Sequence, residues 1–250
     1  MTLFRVEVLR FTRTRRIVAL LAVFLLAGFG GPVLARYLPD LVNSQTSENV
    51  TVIVSEARPV DGVSMFASNA GQLGLLVAVV IAAGALAVDA KPGLSTFYRT
   101  RVRPFDRVIL PRFGVTAGAV AGSYVLGAVA AWYETTVLIG HVPAGRYAFG
   151  VALTVLYLGF AVAVVTLAAS LTRSVVGTSG TAIAVLLALP VLGAVPALEP
   201  WLPSTLAGAL TEMAGAGGAA DFVRAAATTA GATAVVLLVA LRRFRTREVV

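Results

Sequence analysis

Few residues in this sequence could do covalent chemistry. Gly177-Thr178-Ser179-Gly180 has the G-x-S-G spacing that presents a serine nucleophile, and such a hydroxyl reacts only when a neighbouring base takes its proton. The sole histidine is His141. Between the two lies the run Tyr147 to Thr172, uncharged and long enough to cross a bilayer, so base and nucleophile belong at opposite faces. Ser179 reads instead as a residue that opens a helix, and His141 as a solvated loop residue. Cysteine is absent, which excludes disulfides, thiol catalysis, iron–sulfur clusters and Cys/His zinc sites. The one lysine, Lys91, follows Ala90, and no G-x-x-x-x-G-K-S/T occurs, so the loop that cradles nucleotide phosphates is missing. No cofactor or metal is expected on the chain itself.

The elements that would position any site must be read from the apolar body. Of 250 residues, 58% are hydrophobic and 13% charged, about half the charge of an ordinary globular chain. A surface so poor in charge would not keep this body in solution. Six uncharged runs stand out: Ile17 to Ala35, Gly62 to Val88, Phe113 to Tyr133, Tyr147 to Thr172, Ser174 to Leu198 and Ala225 to Leu241. Because a charge at the bilayer centre is costly and a crossing needs about 17 to 25 apolar residues, these predict six spans, near 17–35, 70–88, 113–133, 148–171, 178–198 and 225–241. The second is placed late because Ser64, Ser68, Asn69 and Gln72 are polar. Val33-Leu34-Ala35 could also close a secretory signal, although the apolar run before it is longer than such signals use.

Basic residues are retained on the cytoplasmic side. One side holds the N-terminal segment 1–16, the connection 89–112, Arg173 and the tail 242–250; the other holds Arg36, Arg58, Arg146 and Arg224. The acids divide the opposite way, leaving net charges of +12 and −4. Both termini are therefore expected inside, in an all-α integral membrane protein of a single transmembrane domain.

Small residues dominate the spans and let helices approach closely. Gly118 and Gly122 fit G-x-x-x-G, which serves either a dimer face or packing within the chain. Gly28, Gly30, Gly31 and Pro32, with Pro190 and Pro196, should kink or end their helices. The outer stretch 199–224 is apolar but too short to cross; a short interfacial or re-entrant helix capped by Ser204 and a loop packed on the bundle both fit it. Val50 to Val54 could form a strand, and Asn49-Val50-Thr51 matches a glycosylation acceptor.

The inner connection, Asp89 to Arg112, is the most informative segment. Plain topology would explain positive charge beside anionic head groups, but the connection is longer than two neighbouring helices need. Pro92-Gly93 breaks the chain, Leu94 to Arg103 can form a short helix, Pro104 ends it, and Phe105 to Leu110 returns to the interface.

On these residues the sequence resembles the ABC type-two exporter permeases, in which an acidic residue, a glycine four later, a short helix, a proline, an arginine and a basic residue follow one another between spans two and three. Here they are Asp89, Gly93, Leu94 to Arg103, Pro104, Arg107 and Arg112. Asp stands for the commoner Glu and Arg112 for the commoner Lys, keeping the charge. The resemblance extends along nearly the whole chain, from the basic N-terminal segment to the apolar element between spans five and six. It implies a permease subunit in the cell membrane of a prokaryote, paired with a second permease, identical or different, and with separate ABC ATPase subunits that bind ATP and Mg. The loop helix would dock on the ATPase, with Leu94, Phe97 and Tyr98 as buried anchors and Arg99, Arg101, Arg103, Arg107 and Arg112 as a rim. The N-terminal segment would lie along the inner surface, with Phe4, Val8 and Phe11 on one face. Substrate would be lipophilic or amphipathic, with Tyr124, Thr154, Tyr157 and Thr166 as candidate pathway residues; no nucleic-acid partner is expected. A secondary carrier or channel and a non-transporting membrane scaffold or assembly factor are the alternatives. The spans as drawn hold no ionisable relay of the kind that carriers use.

Overall fold

The computed structural model describes residues 3–44, 57–90, 106–215 and 217–246, and over these the chain forms helices and no strand. The helices are α1 (Leu3–Arg13), α2 (Arg16–Ser44), α3 (Pro59–Asn69), α4 (Leu75–Leu86), α5 (Asp106–Leu138), α6 (Ala144–Leu171), α7 (Val175–Leu192), α8 (Thr205–Ala214) and α9 (Val223–Thr246). A π-helical turn, Ala70–Gly74, joins α3 to α4 as one rod. Six rods are long and apolar enough to cross a membrane: α2, α3–α4, α5, α6, α7 and α9. The candidate strand at 50–54, the acceptor Asn49 and the loop helix 94–103 lie outside the described residues.

Several helices run beyond their expected limits. Charge counting bounds the apolar part of a helix rather than the helix itself, and backbone hydrogen bonding continues into the interface. Hence α2 extends past residue 35 to Ser44, through Pro32 and Pro39, and α5 starts at Asp106 rather than 113 and ends at Leu138. The second rod begins at Pro59, eleven residues before the expected Ala70. Its early polar residues do not interrupt it, because Ser64, Ser68 and Gln72 recur every four residues and share one face. Arg58 opens this helix: its amide donates to Asp61 Oδ2 at 2.8 Å, and proline follows at the first helical position.

Between α1 and α2 the chain turns at Arg15, which has φ of +55°. This left-handed conformation lets Thr14 and Arg15 close the end of α1 through bonds to the carbonyls of Arg10 and Thr12. Of the candidate face of α1, Phe11 is buried, whereas Phe4 and Val8 remain exposed.

The tightest packing is the crossing of α2 and α5. A Cβ on Gly28 would lie 2.3 Å from the Gly127 carbonyl oxygen, and one on Gly127 would lie 2.4 Å from that of Phe24. The backbones thus touch where only glycine fits. Beside this crossing the Tyr124 ring meets Phe24 edge-on and Phe66 at a tilt, each with centroids 5.6 Å apart, which joins α2, α3 and α5. Gly118 and Gly122 are different: a Cβ on either would meet nothing within 4 Å, so packing within the chain does not use them. The rod α6 is the most enclosed, with 72% of its apolar stretch buried, against 22% for α7 and 17% for α9.

Candidate functional site

A cleft of about 400 Å³ lies between the α3–α4 rod and α7, with α6 behind it and α8 across its far end. Two rows of residues from the α3–α4 rod form one wall: Ser64, Ser68, Gln72 and Leu76, and Ala67, Gly71, Leu75 and Val79. Both rows step by four. On a regular helix such a step drifts about 40° per turn and roughly 120° over three steps, which would carry the row off the wall. The π-turn at Ala70–Gly74 takes more residues per turn and straightens the rows. Gly74 is required within it, since a Cβ there would meet the Phe24 ring at 2.5 Å.

Tyr157 of α6 closes the back of the cleft, Ile183, Leu186, Leu187 and Pro190 of α7 form the opposite wall, and Ala207, Gly208 and Thr211 of α8 the rim. No lining side chain is charged. Gln72 Nε2 donates to Ser68 Oγ at 3.2 Å, and Ser64 Oγ to the Asp61 carbonyl at 2.9 Å.

The candidate pathway residues do not assemble into one surface. Tyr157 lines the cleft. Tyr124 is buried in the aromatic cluster with its hydroxyl on Thr154, and Thr154 also donates to the carbonyls of Gly150 and Leu206, the latter at 3.4 Å. Thr166 is fully buried and bonded within its own helix, to the Val162 carbonyl. Ser64, Ser68, Gln72 and Thr211 were missing from the sequence-based set. The i, i+4, i+8 spacing of the first three is the signal in the sequence that marks them as one polar face.

A second constellation lies where both ends of the chain meet. Arg112 is almost wholly buried, and its Nε donates to Glu7 Oε1 of α1 at 2.9 Å, while Arg10 approaches the same oxygen at 3.5 Å. Arg16 reaches the Gly84 carbonyl at 3.0 Å. Asp106 is also buried and receives Arg245 of α9, with Nε at 3.0 and 2.8 Å from its two oxygens and the terminal Nη2 bonded as well. The beginning of α5 is therefore held by both chain ends. Of the loop residues assigned to docking, Arg107 is exposed, Asp89 is half-buried and Arg112 faces inward. Gly93, Leu94, Phe97, Tyr98, Arg99, Arg101, Arg103 and Pro104 lie outside the described residues.

At the other end, α8 packs its Leu206, Ala209 and Leu210 into the bundle and passes so near α6 that a Cβ on Gly150 would lie 2.9 Å from the Leu210 Cα. Ser204 sits at the N-cap without a side-chain cap bond, and Thr205 instead donates to the Glu199 carbonyl at 2.6 Å. Arg224 stacks over Trp201 at 5.7 Å. Burial raises the Glu212 carboxyl above its ordinary range, and the charges of Glu199 and Asp221 raise it further. His141 is exposed at this end, whereas Ser179, which donates to the Val175 carbonyl, starts α7 at the opposite one. Among the described residues no group of three His, Cys, Asp or Glu is arranged to hold a metal. No protein-family model matches the sequence, and no curated protein is significantly similar to it.

Proposed function

We propose that this chain is the membrane-embedded permease subunit of an ATP-binding-cassette exporter, working with a second permease and with separate ATPase subunits. The observation that carries the reading is the distribution of charge. Among the described residues, the buried ionised side chains are Asp106 and Arg112. Both stand at the exit of the connection 91–105, and the middles of the six rods hold none. Proton-coupled carriers keep ionisable groups in their spans, so a bundle whose spans lack them favours a source of energy outside the chain. The basic connection is the place for that partner, with the ATPase on the cytoplasmic side.

In this scheme the segment 94–103 docks on the ATPase, and ATP-driven closure pulls on the start of α5. The pairs Glu7–Arg112 and Asp106–Arg245 pass that pull to α1 and α9. Arg112, bound to Glu7, holds the loop exit in register, and Arg99, Arg101, Arg103 and Arg107 meet the partner. The cleft between α3–α4 and α7 is the place for cargo. Reconstitution with the co-purifying ATPase tests this: transport into vesicles requires ATP, and charge reversal at Arg101 and Arg103 abolishes it while membrane insertion is unchanged. Transport by the chain alone under an ion gradient would establish a secondary carrier instead, and absence of substrate-stimulated ATP turnover with any partner a scaffold.

A further inference from the structure

The cleft has a polarity gradient along its length. On the wall made by α3–α4, Ser64 and Ser68 lie nearest the α8 end, Gln72 follows, and Leu75, Leu76 and Val79 complete the wall toward mid-bundle. Thr211 adds a hydroxyl at the same polar end. About 22 Å separates the levels of Ser64 and Val79 at 1.5 Å per residue, close to the length of a sugar head with a medium alkyl chain. The volume of about 400 Å³ falls in the range of small-molecule sites, roughly 300 to 1,000 Å³.

We propose that this cleft binds an amphiphile with an uncharged, hydrogen-bonding head, seated with its head beside Ser64, Ser68, Gln72 and Thr211 and its tail along Leu75, Leu76 and Val79. Such a head finds partners there. Beyond its bond to Ser68, the Gln72 amide has a second N–H and a carbonyl, and each hydroxyl can both donate and accept. A charged head finds no counter-charge on any wall, and removing an ion from water without one is unfavourable. Glu212 is not part of the lining but stands beside the rim on α8, its Oε1 3.9 Å from a Cβ placed on Gly208, where the charges of Glu199 and Asp221 also act on it. Exposed Leu76 and Leu187, on facing walls, border the opening, so the tail enters from the side through surrounding hydrocarbon rather than through water. Treating this molecule as cargo rests on the exporter reading; its binding does not.

The test is photolabelling of the full chain in lipid nanodiscs with dodecyl maltoside carrying a diazirine at the end of its alkyl chain, and with probes of the same tail bearing trimethylammonium or phosphocholine heads. Peptide mapping should find the maltoside adducts concentrated on Leu75, Leu76, Val79 and Ile183, displaced by unlabelled dodecyl maltoside. Ser68→Ala with Gln72→Leu, and separately Thr211→Val, should each lower this labelling about fivefold, as expected for loss of a hydrogen bond, while Gly118→Ala leaves it unchanged. Equal or stronger cleft labelling by either charged probe overturns the proposal, as does maltoside labelling that the cleft variants do not alter. The expected labelling in a chain that shows no ATP-dependent export would retain the site and remove the exporter reading. Head-blind labelling with export intact would do the reverse.

Discussion

The crossing of α2 and α5 makes Gly127→Ala a demanding substitution for a single methyl group. The new carbon would stand 2.4 Å from the Phe24 carbonyl oxygen, 2.8 Å from its carbonyl carbon and 3.0 Å from its Cβ. Two of the three are backbone atoms, so no rotamer change relieves them. The helices must separate by about 1 Å, which loosens the packing of Phe24 and Phe66 on Tyr124. Overpacking of this kind costs about 1 to 3 kcal/mol, and the better helix propensity of alanine returns at most about 1 kcal/mol. A net loss of about 1 to 2 kcal/mol follows, with Gly28→Ala similar, since its Cβ would lie 2.3 Å from the Gly127 oxygen. The double variant should cost less than the sum, because one separation accommodates both methyls. Gly118→Ala and Gly122→Ala provide the comparison, as each opens onto empty space and should change stability by less than about 0.5 kcal/mol. Unfolding in mixed dodecyl maltoside and dodecyl sulfate micelles, followed by circular dichroism, measures all five. If Gly118→Ala were as damaging as Gly127→Ala, the close crossing would not be what holds this half of the bundle.

Three further outcomes follow from other parts of the molecule. Glu7→Gln replaces a charged acceptor of the Arg112 guanidinium, 1% exposed at its side chain, by a neutral one and should cost about 1.5 to 3 kcal/mol, as for a hydrogen bond to a charged group; the same unfolding assay reads it. Glu212 has a raised pKa in the folded chain, so its contribution to stability is present below the ordinary carboxylate value of 4.5 and is lost as pH rises through the raised value. Glu212→Gln should therefore be more stable than the parent at neutral pH, and the two melting curves should converge toward pH 4.5. Arg15→Gly relieves a left-handed residue and should stabilise the α1–α2 turn by up to about 1 kcal/mol, unless the arginine side chain itself holds the turn, in which case the variant melts lower.

The arrangement of six apolar rods was legible because the cost of charge in hydrocarbon acts on every residue, so runs such as Tyr147 to Thr172 declare themselves in one dimension. Helix ends were less legible, since an interfacial turn tolerates charges such as those of Asp106, Arg107 and Arg112, and the helix runs on past the end of its apolar stretch. The cleft was hidden for a related reason. Ser64, Ser68 and Gln72 are polar at helical spacing, and their meaning depends on whether that face meets lipid, water or an open space between helices. Only the three-dimensional path of α7 decides this. Arg112 shows the same limit from the other side: in sequence it belongs to a basic run, yet its partner Glu7 lies 105 residues earlier, and no local pattern predicts the pairing. Tyr124 and Thr166, plausible wall residues by composition, are taken up by core packing and by a bond within their own helix.

The same packing divides the molecule mechanically. On one side, backbone contact at Gly28 and Gly127, the Phe24–Phe66–Tyr124 cluster and the enclosed α6 form a body in which a shift of 1 Å is costly. On the other, α7 buries 22% of its apolar stretch against 72% for α6, so displacing it disrupts fewer side-chain contacts. The cleft lies along this boundary, with its polar row on the fixed rod α3–α4 and its apolar wall on the loosely held α7. A force applied at the start of α5 reaches α9 through Asp106 and Arg245 and α1 through Arg112 and Glu7, whereas α7 begins with a local cap, Ser174 Oγ accepting from the Gly177 amide at 3.0 Å, and a hydroxyl contact between Thr172 and Thr178 at 2.7 Å. Changes in cleft width are therefore expected to arise from α7 moving relative to the rest, with the hydrogen-bonding wall that recognises a head group staying in place while the apolar wall that encloses a tail opens and closes.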